Sequence, residues 1–201
     1  MKDLIKKILR EETEEVFEIP GLSFFPDGIE GLKNFIQKKN ITRWSLGDDL
    51  DLRWYEGDLT WLEGLVSVSG FLDLYESPIE SLGNLQSVGL SLNLYRTQIK
   101  SFGNLKHVGG DLNLIRTPIE SLGNLEYVGG WLDLSVTLIK SLGNLKHVDG
   151  YLDLRVTPIE YLGNLKHVGG NLYLNDILAE KYTDEEIRSQ VTVVGKIYRE
   201  K

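Results

Sequence analysis

A 20-residue repeat dominates this sequence from Gly70 to about Leu174. One unit, from Val108 to Tyr127, has close copies on both sides with no insertion or deletion between them. A looser unit lies further upstream, with a 22-residue step from Leu50 to Leu72. A unit this short cannot bury its own apolar residues, so successive units must stack, which predicts a solenoid. Two sets of equivalent residues define the register: Leu72, Leu92, Leu112, Leu132, Leu152 and Leu172, and Ile79, Ile99, Ile119, Ile139 and Ile159.

Each unit contains an L-x-L segment with the alternation of a β-strand. Leu112 and Leu114 are expected to face the core, so Asp111, Asn113 and Ile115 face outward. The rest of the unit contains Gly-Asn and often a proline after the threonine, which disfavours a regular helix. We therefore expect parallel strands joined by extended or 3₁₀ returns, with equivalent residues of successive units forming columns.

Several columns are interpreted as structural. Short polar side chains pair the backbone groups of buried turns, and paired glycines allow a positive φ or a close approach between turns. These columns are the threonine or serine column (Ser77, Thr97, Thr117, Thr137, Thr157), the asparagine column (Asn84, Asn104, Asn124, Asn144, Asn164) and glycine pairs such as Gly109-Gly110 and Gly129-Gly130.

The unit L-x-L-x-x-T-x-I-x-x-L-G-N-L-x-x-V-G-G resembles the leucine-rich repeat. It matches that family at the L-x-L pair and at the following isoleucine, over residues 50–174. It departs from the family at Thr117 and its equivalents, where the family usually has Asn or Cys, and at Val108 and its equivalents, which stand one place early. The resemblance implies a leucine-rich-repeat solenoid with a parallel sheet on its concave face and irregular or 3₁₀ returns on its convex face. The 20-residue length is similar to short bacterial and bacteriophage repeats.

Solenoid ends need caps, and the sequence predicts one at each end. Residues 1–46 are expected to form a helical N-terminal cap, with helices over 1–19 and 28–39. Residues 47–176 form the repeats. Residues 177–201 form a C-terminal cap, in which the capping box Thr183–Glu186 opens a helix to about Gln190, and 193–198 form an edge strand.

Composition and motifs exclude most chemistry. The chain has 30 acidic and 22 basic side chains, a net charge of -8, which argues against direct nucleic-acid binding. It has no cysteine, no run of about 20 apolar residues that would suit a membrane, and no export signal, so we expect a cytoplasmic protein. His107, His147 and His167 share one column but supply too few ligands for a metal site. No catalytic set or cofactor motif is present, so we expect neither an enzyme nor a cofactor.

The outward residues of the predicted sheet are the candidate binding site. The middle column contains Asp or Asn in six of its seven units: Asp51, Asp73, Asn93, Asn113, Asp133, Asp153 and then Tyr173. The two flanking columns vary between units that are otherwise nearly identical. They are Phe71, Ser91, Asp111, Trp131, Tyr151 and Asn171 on one side, and Tyr75, Tyr95, Ile115, Ser135, Arg155 and Asn175 on the other. Exposed aromatic and arginine side chains with acids between them are typical of an interface. The alternative is that aromatics simply suit strands and that Asp/Asn was inherited by duplication. The candidate partner-binding residues are Phe71, Asp73, Tyr75, Tyr95, Trp131, Asp133, Tyr151, Asp153 and Arg155.

We therefore expect a non-catalytic scaffold that binds another protein, one with a basic or mixed basic and apolar surface, on its concave face. The resemblance to bacterial and phage repeat proteins implies an inhibitor of a host protein as a specialised version. Two alternatives stay open: a glycan or small-ligand binder that uses the aromatic and Asp strip, and an acidic decoy of a nucleic-acid-binding protein. We expect no membrane contact, and oligomerisation remains open.

Overall fold

The computed structural model describes residues 15–199. Most of the helix predicted over residues 1–19 lies outside this range, but its end does not. Phe17–Ile19 form a β-strand that pairs in parallel with Trp44–Leu46, so the prediction of helix up to residue 19 is wrong. The reason is the partner strand, which pairs with this segment and leaves Ile19 buried.

A short 3₁₀ turn, Leu22–Phe24, and the helix α1, Gly28–Lys39, follow this first strand. The helix matches the predicted range 28–39 and buries Leu32 and Ile36. It ends at Asn40, which adopts a left-handed conformation (φ 52°) and donates its backbone N–H to the last turn. A second 3₁₀ turn, Thr60–Gly64, precedes the regular repeats.

The chain then winds into a parallel β-solenoid, and each 20-residue coil contributes one short strand to each of two sheets. In residues 15–199, sheet A has nine strands and sheet B has eight. Sheet A consists of Phe17–Ile19, Trp44–Leu46, Leu65–Val68, Ser87–Val88, His107–Val108, Tyr127–Val128, His147–Val148, His167–Val168 and Thr192–Val193. Sheet B consists of Leu50–Asp51, Leu72–Asp73, Leu92–Asn93, Leu112–Asn113, Leu132–Asp133, Leu152–Asp153, Leu172–Leu174 and Ile197–Arg199.

The predicted register is confirmed, because Leu112 pairs with Leu132 and Leu132 with Leu152. The prediction of a single strand per unit missed the second strand, which contains Val108 and its equivalents. A bend at Gly109-Gly110 separates the two strands of a coil. A Cβ added at Gly109 would lie 2.0 Å from the carbonyl oxygen of Gly89, so this glycine is required by close approach rather than by a positive φ.

The interior is a stack of leucine, isoleucine and valine columns. In the central coil Leu112 and Leu114, which were predicted to face the core, are buried together with four further apolar residues: Ile119, Leu122, Leu125 and Val128. The structural interpretation of the polar columns is confirmed for most of their members, whereas the buried hydroxyl of Ser77 has no hydrogen-bond partner among the described residues. The buried Thr117 hydroxyl donates to the Leu114 carbonyl (2.8 Å), and the Asn124 amide donates to the Gly103 carbonyl of the preceding coil (2.9 Å).

Two short helices, α2 (Asp176–Lys181) and α3 (Asp184–Gln190), follow the last coil. The predicted capping box is present, with Thr183 and Glu186 bonded reciprocally. The expected single strand over 193–198 is instead two strands, because the chain bends at Gly195 and adds Thr192–Val193 to one sheet and Ile197–Arg199 to the other. Within residues 15–199, no helix has the length and apolar character needed to cross a membrane.

Candidate functional site

The outer face of sheet B brings the predicted binding residues onto one surface, in three columns. The residues of the middle column have a structural role. Each of its Asp or Asn residues from Asp51 to Asp153 accepts, through Oδ1, the backbone N–H of the residue two positions later. These bonds are 2.9–3.2 Å long. Such turns favour Asp and Asn for their short acceptor side chains. The uniformity of this column therefore follows from the fold.

Aromatic rings on this face form two clusters. The first, which we call the N-terminal aromatic cluster, contains Trp54, Tyr75 and Tyr95. Tyr75 stacks on Tyr95 with centroids 4.9 Å apart, and Trp54 meets Tyr75 edge-on. Tyr75 and Tyr95 were predicted. Trp54 was missed because it belongs to the irregular first unit, although the 22-residue step aligns it beside that column.

The second group, the C-terminal aromatic cluster, contains Trp131, Tyr151, Tyr173 and Tyr198. Trp131 and Tyr151 stack with centroids 5.6 Å apart, and Tyr173 and Tyr198 stack at 4.8 Å. Tyr151 meets Tyr173 edge-on, which joins the two pairs. Sequence reasoning selected Trp131 and Tyr151 only, because Tyr198 lies beyond the repeat and Tyr173 occupies the Asp/Asn column.

Arg155 and Asp153 form an ion pair beneath this cluster. The guanidinium holds both carboxylate oxygens, with nitrogen–oxygen distances of 2.5–3.0 Å, and lies 5.0 Å from the Tyr173 ring centre. Asp153 is only 1% exposed. Its carboxylate is thus paired within the chain, so the side chain available to a partner at this point is the half-buried Arg155.

Asp133 lies beside Asp153 in the neighbouring coil and is also buried, with 9% of its surface exposed. Burial raises the pKa of the Asp133 carboxyl, and the nearby charge of Asp153 raises it further, against the opposing effect of hydrogen bonds from Ser135. Burial, together with the charges of Asp133 and Asp153, also raises the pKa of the Tyr151 hydroxyl.

A cavity of about 450 Å³ lies on the same face and is lined at one end by Trp131 of the C-terminal aromatic cluster. Phe71 and Trp131 belong to one column and line it together with Ser91 and Asp111, the two smaller residues between them. Asp73, also predicted, lines it together with Asp51, Arg53, Leu72, Leu90, Leu92, Asn93 and Asn113. Arg53 pairs with Asp51 at 2.6 Å and approaches Asp73 at 3.8 Å.

The structure therefore distributes the nine predicted residues over three neighbouring places. Phe71, Asp73 and Trp131 line the cavity, and Trp131 also belongs to the C-terminal aromatic cluster. Tyr75 and Tyr95 are in the N-terminal aromatic cluster. The remaining four, Asp133, Tyr151, Asp153 and Arg155, lie in or beneath the C-terminal aromatic cluster.

The histidine column lies on sheet A, away from these residues. His107 stacks on Tyr127 at 4.7 Å, and the rings of His147 and His167 are 6.2 Å apart. Among residues 15–199, no group of three or more His, Cys, Asp or Glu side chains is arranged to hold a metal ion.

No family model, curated protein or solved structure matches this chain.

Proposed function

We propose that this protein is a non-catalytic scaffold that binds another protein on the outer face of sheet B. The observation that carries the proposal is one face that holds two clusters of aromatic side chains and a cavity. Aromatic side chains offer a large contact area at a small cost in conformational entropy. Trp131 and Tyr151 are only partly buried within the chain, so a partner would remove further apolar surface from water.

The repeat class of the solenoid, the role of its end helices and the location of the protein are part of the same proposal. The L-x-L pattern supports assignment to the leucine-rich repeats, with the sheet B face as the concave one. Helix α1 at one end, and helices α2 and α3 at the other, would serve as caps. A cytoplasmic location and inhibition of a host protein remain expectations from the sequence and from its resemblance to bacterial and phage repeats.

A protein partner suits this face better than a glycan. Sugar hydroxyls need many free acceptors, but each carboxylate or amide of the middle column already uses Oδ1 for its own backbone. The carboxylate of Asp153 is further occupied by Arg155. The surfaces left to a ligand include aromatic rings and a guanidinium, which are the groups enriched at protein interfaces.

The test is affinity capture from a bacterial lysate with the parent and two double variants. Trp131→Ala/Tyr151→Ala removes the stacked pair of sheet B. His107→Ala/Tyr127→Ala removes a comparable stacked pair from sheet A and is the matched control. We expect specific proteins to be captured by the parent and the control and lost with the sheet B variant. Recovery of the same proteins by all three would refute the proposal, whereas glycan binding without protein capture would favour the alternative.

A further inference from the structure

The cavity between Phe71 and Trp131 has room for a side chain of a partner and a lining rich in carboxylates. Three coil steps separate these two rings, which is about 14 Å at the usual strand spacing of about 4.8 Å. The intervening positions are the smaller Ser91 and Asp111, so the column is interrupted where the cavity lies. The pocket thus arises from one variable column and not from the repeat itself.

One face of Trp131 is directed into this cavity. Its indole stacks on Tyr151 of the following coil, with an angle of 4° between the rings. The opposite face therefore points toward the preceding coil, which contains Asp111. A planar group that entered the cavity would continue the stack, with its own plane parallel to the indole.

The charge of the residues that line the cavity favours a cationic ligand. Three aspartates and one arginine line the cavity, so carboxylates are in excess. Asp51 and Asp73 are engaged with Arg53, whereas Asp111 has no cationic partner within residues 15–199. Oδ1 of Asp111 accepts the Trp131 backbone N–H at 3.0 Å, and no donor among the described residues occupies Oδ2.

We propose that the cavity binds an arginine side chain of the partner protein, whose guanidinium stacks on Trp131 and donates to Oδ2 of Asp111. Guanidinium combines a planar face for stacking with directed N–H groups for a carboxylate, and unlike imidazolium it stays fully charged at neutral pH. An ammonium ion has no such plane. This inference rests on the proposed function, since it names the chemistry that a partner must present to the same face.

The binding test uses ¹⁵N NMR of the whole protein, titrated with N-acetyl-arginine amide. The chain has four tryptophans, and a Trp131→Phe variant assigns the Trp131 indole signal. We expect arginine to shift this signal in a saturable way. N-acetyl-citrulline amide, which has the same shape without charge, should bind about fivefold to tenfold more weakly, because charge-assisted hydrogen bonds and cation–π contacts are lost. N-acetyl-lysine amide should be intermediate.

Two variants locate the site. Asp111→Asn keeps an oxygen for the Trp131 N–H but removes the charge, and it should weaken arginine binding about fivefold. Asp176→Asn makes the same change of charge on the exposed start of α2 and should have no effect. Ser91→Trp fills the cavity and should abolish the shift. It also removes the Ser91 Oγ that accepts the Asp111 backbone N–H (3.1 Å), so it is interpreted together with Asp111→Asn, which leaves that bond intact. Unchanged thermal unfolding confirms that each variant is folded.

Equal binding of arginine and citrulline, or unchanged arginine binding in Asp111→Asn, would overturn the inference. Its failure is distinguishable from failure of the proposed function. If protein capture depends on Trp131 and Tyr151 but arginine does not bind, the scaffold function is supported and the arginine pocket is refuted. If arginine binds but protein capture does not depend on Trp131 and Tyr151, the pocket is supported and the scaffold function is refuted.

Discussion

Asp133 and Asp153 occupy the same column in adjacent coils, yet the same substitution should affect them differently. Both carboxylates are buried and register-paired, and each accepts a backbone N–H through Oδ1. Only Asp153 has a guanidinium on both oxygens. Asn113, in the preceding coil, shows that an amide fits this position and keeps the turn, with its own bond at 3.1 Å.

Asp133→Asn should therefore stabilise the protein at neutral pH. Like charges opposite one another in a sheet cost about 0.2–1 kcal/mol, and burial of the Asp133 carboxylate adds to that cost, so we expect a gain of about 1 kcal/mol in the free energy of unfolding. Asp153→Asn also removes the repulsion but takes charge-assisted hydrogen bonds from Arg155, which is itself 39% exposed. We expect no gain there, and a loss of up to about 1 kcal/mol.

The gain from Asp133→Asn should depend on pH with a definite sign. Because the folded-state pKa of Asp133 is raised, the folded protein holds this proton more tightly than the unfolded chain does. The cost to the parent is fully present above the raised folded-state pKa and disappears as the pH falls to the ordinary pKa of an aspartate, about 3.9. The two proteins should therefore converge in stability on acidification.

Urea unfolding of the parent and both variants at pH 7.5, and at the lowest pH where all stay folded, measures this difference. The midpoint of Asp133→Asn should exceed that of the parent at pH 7.5 and approach it at the lower pH. A loss of stability at pH 7.5, or a gain that grows on acidification, would show that the Asp133 charge stabilises the fold. A gain for Asp153→Asn as large as that for Asp133→Asn would show that Arg155 contributes nothing.

Three further substitutions test the backbone argument by thermal or urea unfolding. The Val156 side chain is exposed, and its backbone adopts a left-handed conformation (φ 55°) that asparagine tolerates better than valine. Val156→Asn should therefore raise the free energy of unfolding by about 0.5–1 kcal/mol. A decrease would show that packing of the valine side chain stabilises the fold. Thr117→Val deletes the buried hydroxyl bond to Leu114 and should cost about 1 kcal/mol, whereas an unchanged midpoint would make that bond dispensable. Gly109→Ala places a Cβ 2.0 Å from the Gly89 carbonyl oxygen and should cost about 2–3 kcal/mol; a folded variant of parental stability would refute the close-approach explanation.

Much of the fold follows from the sequence because a fixed spacing leaves one way to stack the units. The leucine columns, the buried Thr117 and the capping box at Thr183 were all predictable from local pattern. The strand at Phe17–Ile19 was not, because its pairing partner lies outside the regular repeat. The second strand of each coil was also missed, since a two-residue strand such as His107–Val108 is too short to show alternation.

The site was harder to predict, because a column in sequence gives the direction of a side chain but not its surroundings. Asp133 and Asp153 were expected to meet a partner's basic groups, yet both are buried and Arg155 occupies one of them. Asp111 lies in the neighbouring column, that of Phe71 and Trp131. It precedes the two-residue strand, and its Oδ1 accepts the Trp131 N–H of the next coil instead of bonding its own turn. Asp111 lines the cavity, and its Oδ2 has no donor among the described residues. If uniform columns are fixed by backbone geometry, as the middle column is, then specificity for a partner must lie in the variable columns beside it. Replacing Ser91 and Asp111 with the residues at equivalent positions of other coils, such as Phe71 or Tyr151, should therefore alter binding. It should also lower the stability of the solenoid somewhat, because Ser91 Oγ and Asp111 Oδ1 each accept a backbone N–H of the next coil.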